Sequence, residues 1–129
     1  MFVNDARATL VAADAAIVVI DAISGVEPHT EKMWGIAEEL GLPRAIVINK
    51  LDRERADFDR ALASVHEAFG RSAVPVQIPI GKERDFTGVV DLVRMKAYTY
   101  TLDSNGAGKE IDIPGDIAEA AQKAHEALI

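Results

Sequence analysis

The sequence predicts an α/β chain, a parallel sheet flanked by helices, followed by a small α+β subdomain. Three observations carry this reading. Two short apolar runs, AAIVVIDA (15–22) and RAIVINK (44–50), are rich in Ile and Val and apolar on both faces. Strands inside a parallel sheet read that way. Between them lies a segment of helical period, so 15–50 form a β-α-β unit with a right-handed crossover. Beyond Ser72 the pattern turns to proline-punctuated and alternating stretches. Residues 1–71 are therefore expected to form the α/β part, and 72–129 the α+β part.

Taken in order, NDARATLVAA (4–13) reads as a short helix with Asn4 or Asp5 as cap. The first buried strand follows, and SGVEPHT (24–30) supplies turn residues. In EKMWGIAEELG, Met33, Ile36, Ala37 and Leu40 share one helical face. Gly41 and Pro43 stop that helix. After the second strand and the NKLD turn, Asp57 caps a helix whose apolar face is Phe58, Leu62, Val65 and Phe69, and Gly70 closes it.

AVPVQIPIGK (73–82) is extended and carries two prolines, which suits an edge strand. TGVVDLV (87–93) is compatible with a strand or a helical turn. KAYTYTL (96–102) alternates as a strand does, DSNGAG (103–108) is a turn, and KEIDIP (109–114) is the return strand of a hairpin. Gly115 to Ile129 reads as a helix with Ile117, Ala121, Ala124 and Leu128 facing inward.

Composition removes several function classes. There are no cysteines, which excludes disulfides and thiolate metal sites. The net charge of −7 argues against direct nucleic-acid binding, which draws on basic charge to displace counterions. No apolar run approaches the roughly 20 residues that cross a bilayer, so no membrane partner is expected. Met1 to Asp5 has neither a basic start nor an apolar core, unlike a signal peptide. The expected location is cytoplasmic.

The informative stretch is AIVINKLDR (45–53), where an apolar strand breaks into Asn49, Lys50 and Asp52. Ligands of open α/β sheets sit beyond the carboxyl ends of the strands. Asp21 stands at the same end of the first strand. A carboxylate accepts two parallel hydrogen bonds from a planar pair of N–H groups. Guanine offers such a pair at N1 and N2, and adenine offers none. An Asn amide can donate to purine acceptors, and a Lys stem can lie along a base with its ammonium in water. In an arbitrary sequence N-K-x-D is most often an ordinary polar loop. Its place after a buried strand of a β-α-β unit favours the ligand reading.

At these residues the chain resembles the GTP-binding domain of elongation factor G. The matching stretches are AADAAIVVIDAISGVEPHTEKMW (12–34), LPRAIVINKLDRERADF (42–58), VPVQIPIGKERDFTGVVDLVRMKAY (74–98) and the acidic last helix. The third stretch is similar to the subdomain, often called G′, that the family inserts after the NKxD helix. The resemblance implies a P-loop-GTPase-type parallel sheet, present in part, with G′ attached. It implies that Asn49 and Asp52 read the guanine of GTP or GDP and that Lys50 packs against the base. In the parent protein Mg accompanies the nucleotide.

The resemblance also implies absences. The family grips phosphates with G-x-x-x-x-G-K-[ST], and no such run occurs here. The nearest decoy is NGAGKE (105–110), with Asp103 where the first Gly belongs and Glu110 in place of the magnesium-binding hydroxyl. It falls in the expected hairpin. The family's D-x-x-G run and water-positioning His are expected just before Phe2, and its Ser-Ala base loop beyond Ile129. The chain is thus expected to resemble a piece of an elongation factor G-like GTPase, with no bound nucleotide, no catalytic residue and no hydrolysis of its own.

Other residues are read as structural. His29 is surface, since relatives often carry Gln there. His66 is placed on the polar side of its helix, and His125 in the last helix. Three scattered histidines do not make a metal site. Trp34 is packing, and Gly35, where relatives carry a longer polar residue, weakens its helix slightly. Glu83, Asp85 and Asp91 are expected to form a solvated surface with turn hydrogen bonds. Asp116, Glu119 and Glu126 make the last helix acidic, and family resemblance implies the ribosome and its stalk protein as partners. A non-catalytic module docking the stalk is the alternative function. In the family the first strand pairs with the phosphate-loop strand. Without it an apolar edge is open, and pairing with a second copy of the chain is expected.

Overall fold

The computed structural model describes residues 3–103 and 105–129, and the side chains from Asp5 onward. The expectations placed on Met1, Phe2 and Ser104 lie outside the described residues. The chain is α/β, with one parallel and one antiparallel sheet.

Helix α1 (Val3–Val11) begins earlier than the sequence suggested. Asn4 and Asp5 therefore lie inside its first turn and not at the cap, where Asp5 still complements the helix dipole. Strand β1 (Ala16–Asp21) pairs in parallel with β2 (Arg44–Asn49), in a register that sets Ala16 against Arg44 and Asp21 against Asn49. Helix α2 (Pro28–Glu39) joins them. It also starts earlier than expected, because Pro28 fits the first helical position, where no N–H is needed. At its other end Gly41 takes a φ of 67°, Leu42 N–H donates to Ala37 O and Gly41 N–H to Glu38 O. This pair of bonds satisfies the last carbonyls of the helix.

Helix α3 (Phe58–Phe69) is capped as expected, with the Asp57 carboxylate accepting from Arg60 N–H at 3.0 Å. Trp34 of α2 stacks on Phe69 of α3 with centroids 4.2 Å apart, and the Arg44 guanidinium lies 4.4 Å above the indole. Ile20, Ala22, Ile36, Ala37, Ala56, Ala61 and Val65 are buried in this part. Burial alternates along β1 and β2, so one sheet face is covered. The other leaves Ile17 69%, Val19 60% and Val47 45% exposed. The outer edge of β1 meets no strand among the described residues.

The antiparallel sheet runs in order β3 (Gln77–Ile80), β4 (Gly88–Asp91), β5 (Lys96–Thr99), β6 (Lys109–Ile111). β3 is an edge strand, as the two prolines of its segment suggested, but it is shorter than that segment and keeps only Pro79 within it. The 87–93 segment resolves as strand. β5 and β6 form the expected hairpin, and the NGAGKE decoy is its turn and return strand. Helix α4 (Ala118–Leu128) closes the core. Ala121 is buried with Val90, Leu92 and Ala97, and Ile117, Ala124 and Leu128 pack around them.

Two histidines do more than the sequence suggested. His66 Nε2 bonds to Ala73 O at 2.8 Å, and His125 Nδ1 to Leu92 O. A carbonyl only accepts, so each of these ring nitrogens carries the proton. His66 is half-buried by this tie and is not on a solvated face. His29 is exposed, as expected.

Candidate functional site

The end of β2 fixes the site. Asn49 is the last strand residue and is exposed. Lys50 then adopts φ 63°, a left-handed conformation uncommon outside glycine. It turns the chain sharply, and Arg53 N–H closes the turn on Lys50 O at 3.2 Å. Asp52 sits in this turn. It is exposed, and no hydrogen bond or ion pair to the other described residues engages its carboxylate. Asn49, Lys50 and Asp52 therefore all lie at the carboxyl rim of the parallel sheet.

Neighbouring loops hold the rim on both sides. From the β1 side, Ala22 N–H donates to Asn49 O at 2.9 Å, and Asp57 N–H to Ala22 O at 3.2 Å. Arg60 Nη2 donates to Arg55 O at 2.7 Å and to Ile23 O at 3.4 Å. Val26 N–H donates to Ser64 Oγ at 3.1 Å. From the other side, Glu83 N–H donates to Leu51 O at 3.2 Å. That contact depends on the 81–86 turn, where Gly81 has φ 76° and an added Cβ would come within 2.0 Å of Asp85 O.

Asp21 joins the site through its side chain. Its Oδ1 accepts from Ile23 N–H at 2.7 Å and Ser24 N–H at 3.4 Å. Its Oδ2 lies 3.8 Å from Lys50 Nζ. The Ile23 N–H, with help from Ser24 and Lys50, holds the Asp21 carboxyl below its ordinary value of 3.8, against a smaller opposing effect of desolvation. Asp57 is likewise held low, first by the Arg60 N–H and also by the charges of Lys82 and Arg60.

The Asp21–Lys50 contact and the Arg60 ties were missed by sequence reasoning. The contact had a signal, since parallel pairing of two strands ending in ID and IN sets Asp21 beside Asn49, next to Lys50 in the chain. The Arg60 ties had none, because they depend on how α3 docks. Asp91 forms a turn, accepting from Val93 N–H at 2.9 Å and Arg94 N–H at 3.2 Å. Glu83 and Asp85 lie in a 3-10 turn. Among the described residues no group of three or more His, Cys, Asp or Glu side chains could hold a metal ion. No helix among them is long and apolar enough to cross a membrane.

The family profile of the elongation factor Tu GTP binding domain matches residues 1–125. The chain belongs to that family. Among solved structures, the crystal structure of ttk003000868 from Thermus thermophilus matches with a TM-score of 0.88 at 35% identity over 98% of this chain. The chain spans 18% of the length of that protein. The ligand of an elongation factor Tu-type GTP-binding domain is a guanine nucleotide. The residues at this rim suit its base, because an exposed, unengaged carboxylate can accept the paired N–H groups of guanine.

Proposed function

We propose that this chain is the guanine-reading part of a translation GTPase similar to elongation factor G. In this reading Asp52 accepts the guanine N1 and N2 hydrogens. Asn49 donates to the purine acceptors and braces the loop, and Lys50 covers the base face. Residues 1–71 form the nucleotide-facing α/β unit, and residues 72–129 the inserted α+β subdomain. The observation that carries the reading is the Asp52 carboxylate, exposed and unengaged at the carboxyl rim of the parallel sheet.

In this reading the described residues contact the base and leave the phosphates and magnesium of the nucleotide to other parts of the protein. Base contacts supply only part of the binding energy of a nucleotide, so affinity is weak and hydrolysis by this chain alone is absent. The parent protein hydrolyses GTP on the ribosome in the cytoplasm during translocation or an allied step.

Titrating the isotope-labelled chain with guanosine and with adenosine tests the reading by amide shifts. Guanosine is expected to move Asn49 to Asp52 and adenosine to leave them in place. Asp52→Asn, which replaces an acceptor oxygen by a donor, is expected to abolish the difference. Equal responses to both nucleosides would refute the proposal, and so would a tight stoichiometric complex with GTP.

A second reading is a docking module for the ribosomal stalk. Asp116 precedes α4, and Glu119 and Glu126 lie within it, all exposed. A labelled stalk C-terminal domain that shows no shift at high concentration of this chain would exclude it.

A further inference from the structure

We infer that Asp21 is a positioning residue of the base-reading loop, its carboxylate ordering the Lys50 side chain at the carboxyl rim of the parallel sheet. What Lys50 then covers rests on the guanine reading proposed above. The ordering itself rests on geometry.

The two oxygens of Asp21 serve two different segments. Oδ1 is taken up by its own turn, accepting from Ile23 and Ser24. Oδ2 is left for the neighbouring loop, where Lys50 Nζ lies 3.8 Å away. The turn bonds fix the carboxylate in place, so the lysine is drawn to a stationary charge. The backbone of Lys50 is fixed as well, by its left-handed φ and by the Ala22–Asn49 and Arg53–Lys50 bonds on either side. Between two anchored ends only the four-carbon stem is free to move. A lysine half in water is otherwise rotamerically loose, and a loose stem must be ordered before it can lie against a ring. The ion pair carries out part of that ordering before any ligand arrives. The pair is open to solvent, so its effect on fold stability is small.

Asp91 supplies the internal control. Its Oδ1 makes the same two bonds to the second and third following residues, yet among the described residues it joins no ion pair. A carboxylate of this local form therefore closes its turn without a lysine, and the Lys50 contact is an addition specific to Asp21.

The test uses the whole chain with labelled lysine side chains, comparing the parent with Asp21→Asn, Asp21→Glu and Asp91→Asn. Asn retains an oxygen acceptor for Ile23 and Ser24 and removes only the charge. Amide protection at Ile23 and Ser24 reads the turn, and relaxation of the Lys50 Cε and Nζ groups reads the order of the stem. In Asp21→Asn the turn amides are expected to stay protected while Lys50 becomes as mobile as a fully solvated lysine. Asp21→Glu is expected to restore part of the order, and Asp91→Asn to leave Lys50 unchanged. The guanosine concentration that half-saturates the Asn49–Asp52 shifts should rise about two- to fivefold in Asp21→Asn.

A Lys50 stem equally mobile in the parent and in Asp21→Asn overturns the inference. An ordered stem released by Asp21→Asn upholds it, even if guanosine and adenosine act alike. That last result would remove the guanine reading alone.

Discussion

The antiparallel sheet buries Val90 and Ala97, with Leu92 just after β4, beneath α4, whereas the parallel sheet leaves Ile17, Val19 and Val47 of one face in solvent. Both sheets are covered on one side by helices. The difference lies in composition. The short antiparallel strands carry polar residues such as Gln77, Lys96, Lys109 and Glu110, so water on part of the sheet costs little. β1 and β2 are apolar on both faces, as in parallel sheets that are sandwiched between layers. Contiguous exposed apolar surface of this kind marks contact surfaces. One sheet thus makes its own core, and the other has more apolar surface than this chain covers.

The largest expected effect follows from the closed core. Leu92→Ala should lower stability by about 2–5 kcal/mol in urea denaturation, because the cavity beneath α4 has little room to collapse. Val47→Ala, on the open face, should cost under about 1 kcal/mol. Comparable losses at the two positions would erase the contrast.

Next in size is the acid response. The depressed carboxyls of Asp21 and Asp57 stabilise the fold above their ordinary value of 3.8. That contribution is lost as pH falls through their lower folded values. The urea midpoint should therefore drop as pH is taken below about 4. Asp57→Ala should flatten this dependence and reduce stability at neutral pH, since the α3 cap is lost. Asp21 keeps its own share in that variant, so an acid response as steep as the parent's would mean that Asp57 contributes nothing to it.

The smallest change in stability is expected from Ile17→Lys. It should alter the urea midpoint little, yet shift sedimentation from larger species toward monomer, because a charge on an open strand blocks pairing. A parent chain that sediments as a clean monomer at high concentration would mean that its apolar strand does not recruit a second copy.

Much of this was legible from periodicity and punctuation. The two-proline segment predicted an edge strand, and Asp57 and Gly70 bracketed α3 as read. Helix starts were less legible. Pro28 reads as a turn residue, but it fits a first helical turn equally well, and only the docked helix decides between them. The same holds for side chains whose partners lie far along the chain. His66 looked solvated from its helical face, yet it reaches Ala73 O. The shared position of Asn49, Lys50 and Asp52 at the rim was legible because they follow one another across the end of a single strand. The link from Lys50 to Asp21 depended on strand register, which sets Asp21 opposite Asn49 across a whole β-α-β crossover.

The stack of Trp34 on Phe69 beneath Arg44 has an optical consequence. Trp34 is the sole tryptophan of the chain, and its ring touches α3 and the first residue of β2. Its emission therefore reports on the union of α2, α3 and β2 and carries little signal from the four-stranded sheet. Tyr98 and Tyr100 lie in or beside β5. Melting followed separately through indole and phenol would reveal whether the halves let go together or one before the other.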